Sequence, residues 1–552
     1  MELSKYQEKI LRYFNDNPRS NMMISALAGS GKSTMACLLS EHTTTSDIYV
    51  AFNNSIAEEF RTKIKNPKTK VMTLHSLGLS IMNSNIRTAK EEKKITYANA
   101  TLDNLKIHKI IDNELTILDR RMDFMKKMFY KDQYFTLYNL CRLTMTNLAD
   151  STALRQIIQD YRLFENDEGY QFPDITDCIS MLKNVDGESW NIFNQTGVID
   201  FTDMLYITYW KLERKEWEVP YYNLYTNIMF DEAQDASSIQ LNLLKYIKRK
   251  GGRYIFILDK NQAIYSFAGS NSLSYSLIPK MFAPIKEFDL PICYRCPSSH
   301  LKQVNRLFNI PILPRDDAPK GKIYHIEKED ILSKIHEGDM IISRKNKWLG
   351  SVIVDLAKAG KPIQIEDKEM VASIKKIVEK NKNSTAKGLR KDLKEEVTKY
   401  SQERAKKNSQ LLEAVQENNV EEVVTAIDDN KKIDNCNFIL GILKEYLKKN
   451  PNATKDNFAV YISNLLNTGD SKTSKSNVFT PKTKPIRICS VHKAKGLEAE
   501  NVFVLNEGRV CFDFRNSKEQ NQQEKNLSYI SYTRAKNNLY LVSEKNTNSE
   551  EE

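Results

Sequence analysis

Two short stretches of this sequence hold residues whose types and spacing suit phosphoryl chemistry. The first is Met22-Met23-Ile24-Ser25-Ala26-Leu27-Ala28-Gly29-Ser30-Gly31-Lys32-Ser33-Thr34. An apolar run short enough for a buried strand breaks at a Gly/Ser turn and restarts on residues that can open a helix. Gly29 and Gly31 let successive backbone N–H groups between Ala28 and Thr34 point inward at phosphate oxygens. Lys32 can then reach the β- and γ-phosphates of a nucleotide, and the Ser33 hydroxyl can ligate Mg²⁺. A helix starting near Lys32 adds its N-terminal partial positive charge. The second stretch is Ile228-Met229-Phe230-Asp231-Glu232-Ala233-Gln234-Asp235. An apolar strand ending in paired carboxylates is what metal-assisted phosphoryl transfer needs. Asp231 would hold Mg²⁺ through water, and Glu232 would polarise the attacking water. Capping the next helix is the plainer use for these acids, but Ser237 with Gln240 already makes a capping box.

Such side chains need a rigid sheet beneath them. Residues 4–16 predict a helix, Asp47–Phe52 a second strand, Ser55–Ile64 a helix and Lys70–Leu74 a third strand. Strand–helix alternation of this kind argues for a parallel α/β sheet. From about residue 87 the texture changes: Leu102–Leu118 and Ala149–Leu163 carry apolar residues at helical spacing, so 87–195 reads as a helical insertion. Sheet texture returns at Asn227–Phe230, Arg253–Leu258, Met340–Ile342, Ile486–Ser490 and Val502–Leu505. The reading is therefore a first α/β domain over 1–86 and 196–280 and a second over 281–367 and 485–543. A helical, Lys-rich insertion with a polar linker fills 368–484, and an acidic tail over 544–552 is expected to be disordered.

At 552 residues the chain is too long for one core. No apolar run approaches a membrane span, and the N-terminus has no signal-peptide pattern. The formal net charge of +11, with 28% charged residues, suits a polyanionic partner. The basic run from Lys375 to Lys407 is read first as a solvated helix face. Of eight cysteines only Cys293 and Cys296 stand at C-x-x-C spacing, and no second pair completes a zinc site. Reduced, structural thiols of a cytosolic protein are the simplest reading.

Taken together, AGSGKST followed by DEAQD resembles the superfamily 1 helicases of the UvrD/Rep/PcrA group, and further motifs follow in that family's order. The resemblance implies two RecA-like P-loop NTPase domains, each interrupted by a mainly helical insertion, with ATP and Mg²⁺ as cofactors. Leu3-Ser4-Lys5-Tyr6-Gln7 resembles the adenine-reading motif, with Gln7 on the base edge; its other use is to close a capping box with Ser4. Ala51-Phe52-Asn53-Asn54 and Thr73-Leu74-His75-Ser76 resemble motifs that touch single-stranded DNA, which places Phe52, Asn54 and His75 on the strand. Gln262 would sense the γ-phosphate, while Tyr265 and Phe267 would stack on bases, a grip that suits a translocase because every base has a π-face. Where the family usually has Trp and Arg, this chain has Phe267 and Ala268, and Thr34 stands where an Arg commonly flanks the nucleotide. Cys293-Tyr294-Arg295 resembles the Tyr-Arg pair, Tyr294 on adenine and Arg295 as an arginine finger. Ser343-Arg344-Lys345-Asn346 resembles a DNA-contacting motif through Arg344 and Asn346. In Ser490-Val491-His492-Lys493-Ala494-Lys495-Gly496-Leu497-Glu498, His492 would meet DNA and Gly496 and Glu498 the nucleotide. Tyr532-Thr533-Arg534-Ala535 resembles the last motif, with Arg534 on the γ-phosphate.

The family implies an ATP-dependent helicase or translocase moving 3′-to-5′ on single-stranded DNA and acting at single-strand/duplex junctions in repair, replication or recombination. It would work in the cytoplasm with DNA and replication or repair proteins as partners. A single-strand translocase that strips bound proteins, and a nucleotide-gated nucleic-acid-binding protein, are the competing readings.

Overall fold

The computed structural model describes residues 3–165, 170–264, 274–399, 431–466, 484–506 and 518–543. The chain forms two compact units, Met1–Pro291 and Ile292–Glu552. Each is built on a six-stranded, all-parallel sheet, the RecA-like arrangement the motifs imply.

In the first unit the strand order is Thr69–Thr73, Asp47–Ala51, Tyr225–Phe230, Lys248–Leu258, Asn21–Ala26, Ile285–Leu290. Both faces of this sheet are covered, which is why its central strands read as near-continuous apolar runs. Successive side chains alternate between two cores: Ile24, Tyr49, Met229 and Ile257 pack with Phe14, Leu39 and Phe60 on one side. Ile48, Val50, Phe230 and Phe256 pack with Leu77, Leu205 and Leu243 on the other. The edge strand Ile285–Leu290 lies beyond the expected boundary at 280 and extends the first sheet. Its Ile-Lys-Glu-Phe-Asp-Leu pattern buries only Phe288 and Leu290, so it lacks the apolar run of the central strands.

The first insertion is helical as expected, in helices Lys106–Leu118, Phe124–Thr144, Ser151–Asp160 and Ile175–Thr196. It has its own core, around Leu137, Tyr138, Leu154, Cys178 and Leu182.

In the second unit the order is Lys322–Glu327, Ala535–Ser543, Ala499–Leu505, Met340–Ser343, Ile486–Ser490, Ile363–Ile365. Its insertion contains helices Lys368–Lys380, Lys431–Lys449 and Lys455–Leu466 and a helical stretch over 386–399. Here insertion and sheet share one core, in which Ile341, Ile353 and Phe503 meet Phe438, Ile442 and Phe458. Most of the polar linker, the Lys-rich run beyond 399, the acidic tail, Tyr265 and Phe267 lie outside the described residues.

Insertion and sheet unit approach closely at Gly350, where a Cβ would lie 2.6 Å from the Phe438 carbonyl oxygen. Helix propensity alone favours Ala over Gly by about 1 kcal/mol, yet the clash should reverse the sign. Gly350→Ala is expected to destabilise the protein by about 1–3 kcal/mol, read as a lower midpoint in urea unfolding. An unchanged or raised midpoint would show that the insertion can move away from the sheet.

Candidate nucleotide and nucleic-acid sites

Apart from Gln7, which lies on helix Lys5–Asp16, the described site residues predicted in the first unit sit at the carboxyl ends of its parallel strands, the end at which open α/β sheets bind ligands. After strand Asn21–Ala26 the chain turns through Gly29 (φ 68°) and Gly31 (φ 85°), both left-handed, and helix Lys32–Glu41 begins. The Ser30 hydroxyl is buried in this turn with no hydrogen-bond partner among the described residues. Gln7 closes the capping box with Ser4, its Oε1 accepting from the Ser4 N–H at 3.0 Å. Its Nε2 still lies 3.7 Å from where a Gly31 Cβ would be, so the cap also brings the Gln7 amide to the loop.

Strand Tyr225–Phe230 delivers the acids. Lys32 Nζ lies 3.4 Å from Glu232 Oε1, with both side chains largely buried. Glu232 adopts a left-handed backbone (φ 52°), rare for a residue with a Cβ, and its N–H donates to Asp231 Oδ1 at 2.9 Å. Tyr49, from the neighbouring strand, donates its hydroxyl to Asp231 Oδ2. Its ring is fixed by stacking on Phe60, with centroids 3.5 Å apart. Burial first, and Glu232 second, push the Asp231 carboxyl up to about 6, against the opposing pull of Lys32 and Tyr49. Gln234 Nε2 donates to Glu232 Oε2, and Gln234 Oε1 accepts the Asp259 N–H at 3.0 Å. Asp259 Oδ2 in turn accepts Gln262 Nε2 at 2.7 Å. Lys32, Glu232, Asp259 and Gln262 are therefore joined, through Gln234 and the Asp259 N–H, from three places in the sequence. Ser33 is half-buried beside Lys32, and Thr34 is exposed.

Two further strand ends carry aromatic surface. Phe52 is half-buried and Asn54 exposed at the start of helix Asn54–Lys63. His75 opens helix Leu74–Glu91 and stacks on Phe201, with centroids 4.0 Å apart and planes 20° from parallel. Burial lowers the His75 imidazole to about 4, so it is neutral at pH 7. Phe201 is 52% exposed, a residue the sequence reading missed. Its neighbours Asp200 and Asp203 are buried and held by Arg142 at 2.6 and 2.8 Å, with Lys106 on Asp203 at 2.7 Å. The signal available beforehand was only an aromatic between two aspartates.

In the second unit, Arg295 Nε donates to Glu498 Oε2 at 2.6 Å and Nη1 to the Thr533 carbonyl at 3.2 Å. Lys536 takes the other Glu498 oxygen at 2.6 Å. Burial opposes ionisation of Glu498, but Arg295 and Lys536 outweigh it and hold the carboxyl below its usual range. Arg534 is buried, donating to the carbonyls of Ile530 (3.0 Å) and Leu497 (3.3 Å) and to the Thr533 hydroxyl (3.3 Å). Gly496 (φ 85°) is exposed, and Tyr294 and His492 are half-buried. Arg344 makes a forked pair with Glu524, at 3.1 and 2.6 Å, and Asn346 Nδ2 donates to Asn435 at 3.3 Å. Two residues expected on DNA thus have partners inside their own unit.

Residues 3–283 match the family model for the UvrD/REP helicase N-terminal domain. The ATP-dependent DNA helicase Rep of Buchnera aphidicola (subsp. Acyrthosiphon pisum) is 23% identical over 300 residues, 53% of this chain and 40% of that protein. A probable DNA helicase II homolog of Mycoplasma pneumoniae is 26% identical over 431 residues, 63% of this chain and 58% of its own length. Its counterpart in Mycoplasma genitalium is 23% identical over 519 residues, covering 77% and 70%. The matched stretch is thus less than half of the Buchnera relative.

The raised Asp231 carboxyl has a thermodynamic consequence. A folded pKa above the unfolded value of 3.8 means that ionisation opposes folding, by an amount that grows from about pH 4 to about pH 6 and is constant above. Asp231→Asn should therefore stabilise the nucleotide-free protein by on the order of 2 kcal/mol above pH 6, with the gain fading towards pH 4. Thermal unfolding across that range tests it; a gain independent of pH would remove Asp231 ionisation as its cause.

Proposed function

Because the chain belongs to the UvrD/REP helicase family, we propose that it is an ATP-dependent DNA helicase or translocase that moves 3′-to-5′ along single-stranded DNA. The observation that carries the reading is the linked set Lys32–Glu232–Gln234–Asp259–Gln262 beside a left-handed glycine loop. The residues fit the cofactors. The unpartnered, buried Ser30 hydroxyl and the Gly29–Gly31 turn suit a phosphate group, and Lys32 is held next to it. Among the described residues no three His, Cys, Asp or Glu side chains form a metal cluster. Mg²⁺ would accordingly depend on Ser33, Asp231 and the nucleotide's own oxygens, where it would neutralise charge on the phosphates.

On ATP binding, Lys32 exchanges Glu232 for the β- and γ-phosphates. Glu232, held at Oε2 by Gln234, would accept the proton of the attacking water. Gln262, oriented by Asp259, would sense the γ-phosphate and the same water. In the first unit Gln7 would read adenine; the family resemblance assigns Tyr294 of the second unit to adenine as well, and Gly496 and Glu498 to the nucleotide's phosphate and ribose side. The family resemblance would give Arg295 and Arg534 the part of supplying positive charge to a γ-phosphate, a contribution worth ~10³–10⁵ in rate. Single-stranded DNA would run over Phe52, Asn54 and the His75–Phe201 stack, which presents a neutral π-surface. By the family resemblance Tyr265, Phe267 and His492 would also contact DNA. Arg344 and Asn346 would join only by giving up Glu524 and Asn435. Strand separation at junctions and a cytoplasmic place in DNA repair, replication or recombination complete the proposal.

The decisive assay is steady-state ATP hydrolysis without nucleic acid and with single-stranded DNA, duplex DNA or single-stranded RNA. Single-stranded DNA should stimulate most, and strand displacement should need a 3′ tail. Glu232→Gln should retain ATP binding and lose hydrolysis; substantial residual turnover would remove Glu232 as the base. Phe201→Ala should weaken single-strand binding by ~1–3 kcal/mol in fluorescence anisotropy, with ATP affinity unchanged. Equal affinity in both proteins would leave His75 and Phe201 as local packing alone.

A further inference from the structure

The C-x-x-C pair that encloses Tyr294 and Arg295 has no part in the scheme above, and it is built unlike the other cysteines. Both thiols are free and buried. The Cys296 N–H donates to Cys293 Sγ at 3.3 Å, so the chain folds back and brings the two side chains together. Cys293 is anchored: its strand pairs with Leu313–Pro314, and its carbonyl accepts the Arg315 N–H at 3.3 Å. Cys296 Sγ instead rests on the Thr533 carbonyl at 3.5 Å, the same oxygen that accepts Arg295 Nη1 at 3.2 Å. One carbonyl therefore steadies both the second thiol and the arginine.

We propose that Cys293 and Cys296 form a redox-sensitive dithiol which a small hydroperoxide closes to a disulfide, displacing Arg295. The proposal rests on the reading of Arg295 as the γ-phosphate arginine. Since Cys293 is fixed in its strand, closure must move Cys296. That takes its sulfur off Thr533 and shifts the two residues between, so that Arg295 loses its geometry on Thr533 and Glu498.

The chemistry balances. The Cys293 thiolate attacks the peroxide oxygen, breaking the O–O bond, to give a sulfenic acid and one water. The Cys296 thiol then forms the S–S bond as the sulfenic oxygen leaves as a second water. Two electrons and two protons pass from the dithiol to hydrogen peroxide.

Burial alone makes a thiol inert, and it pushes Cys141 and Cys489 up to about 12 and Cys178 to about 11. Cys293 goes the other way, to about 6. Hydrogen bonding by the Cys296 thiol, whose single proton serves either Cys293 Sγ or the Thr533 carbonyl, is the main cause, helped by backbone N–H groups and Arg295 against burial. The enclosed position favours an oxidant close to water in size over a bulky disulfide.

The full chain, treated with hydrogen peroxide, alkylated and mapped by peptide mass, should carry a Cys293–Cys296 disulfide that dithiothreitol reverses. Phenylglyoxal labelling of Arg295 should rise on oxidation, and DNA-stimulated ATP turnover should fall by about tenfold or more and return on reduction. In Cys293→Ser and Cys296→Ser the ratio of oxidised to reduced turnover should stay near unity. Absence of the disulfide overturns the proposal, as does a disulfide that leaves both Arg295 labelling and turnover unchanged. If the reduced protein hydrolyses no ATP, the reading of Arg295 fails on its own, while the disulfide and the labelling still decide the dithiol.

Discussion

Asp231, Glu232 and Asp259 end adjacent, fully paired strands of the first sheet, and their mutual repulsion is the constraint that this unit is built to manage. Burial raises the carboxyls of both aspartates, and Lys32 is the nearby cation that lowers each of them. The ammonium must therefore stand in one place, which requires helix Lys32–Glu41 to begin at that residue. A start so close to the strand end requires left-handed backbone at Gly29 and Gly31. The remaining lone pairs draw donors from Tyr49, Gln234, Gln262 and the N–H groups of Glu232 and Asn261. A site so arranged is short of positive charge, which a bound divalent cation would supply.

Gln234 is the hinge of that arrangement. Its amide donates to Glu232 and to Asp235 Oδ2 (3.2 Å) and accepts from the Asp259 N–H. Asp235 Oδ1 accepts the Ile264 N–H at 3.3 Å. One side chain thus connects the acid paired with Lys32 to the backbone leading out of strand Lys248–Leu258. A change in the partner of Glu232 alters the balance at Gln234 and hence at residues 259–264. Coupling of this sort needs no large motion, only a hydrogen-bond network with two satisfied arrangements.

The two chemical stretches were legible in the sequence because each is local: loop, cation and hydroxyl lie within thirteen residues, and the acids end an apolar strand. Both sheets were legible where strands are buried on two faces, and not where an edge strand such as Ile285–Leu290 exposes half its side chains. What sequence could not display are contacts made across the fold. Tyr49 reads as a core tyrosine until it is found against Asp231, 182 residues away. Phe201 reads as one aromatic in an acidic stretch until His75 is seen stacked on it. Asp259 precedes Gln262 by a single 3₁₀ turn, yet nothing in that spacing says that Gln234 holds the other end. Arg344 shows the converse case. Its motif position suggests an exposed contact, and a helix almost two hundred residues later supplies the carboxylate that binds it.

The two arginines of the second unit differ in a way that bears on which of them moves. Arg534 is buried and satisfied by two backbone carbonyls and a hydroxyl; moving it would strand buried acceptors, at a penalty of about 1–3 kcal/mol for each. Arg295 is held by a carboxylate whose second oxygen already has Lys536 as a partner. Replacing Glu498 with another anion exchanges one charge-assisted bond for another and leaves Glu498 still paired. If exchange of anions is the working step, Arg295 is the side chain able to make it and Arg534 is the fixed charge beside it. The loop that carries Arg295 is correspondingly the sensitive part of this unit, because it is pinned by the anchored strand at Cys293 and by the single carbonyl of Thr533.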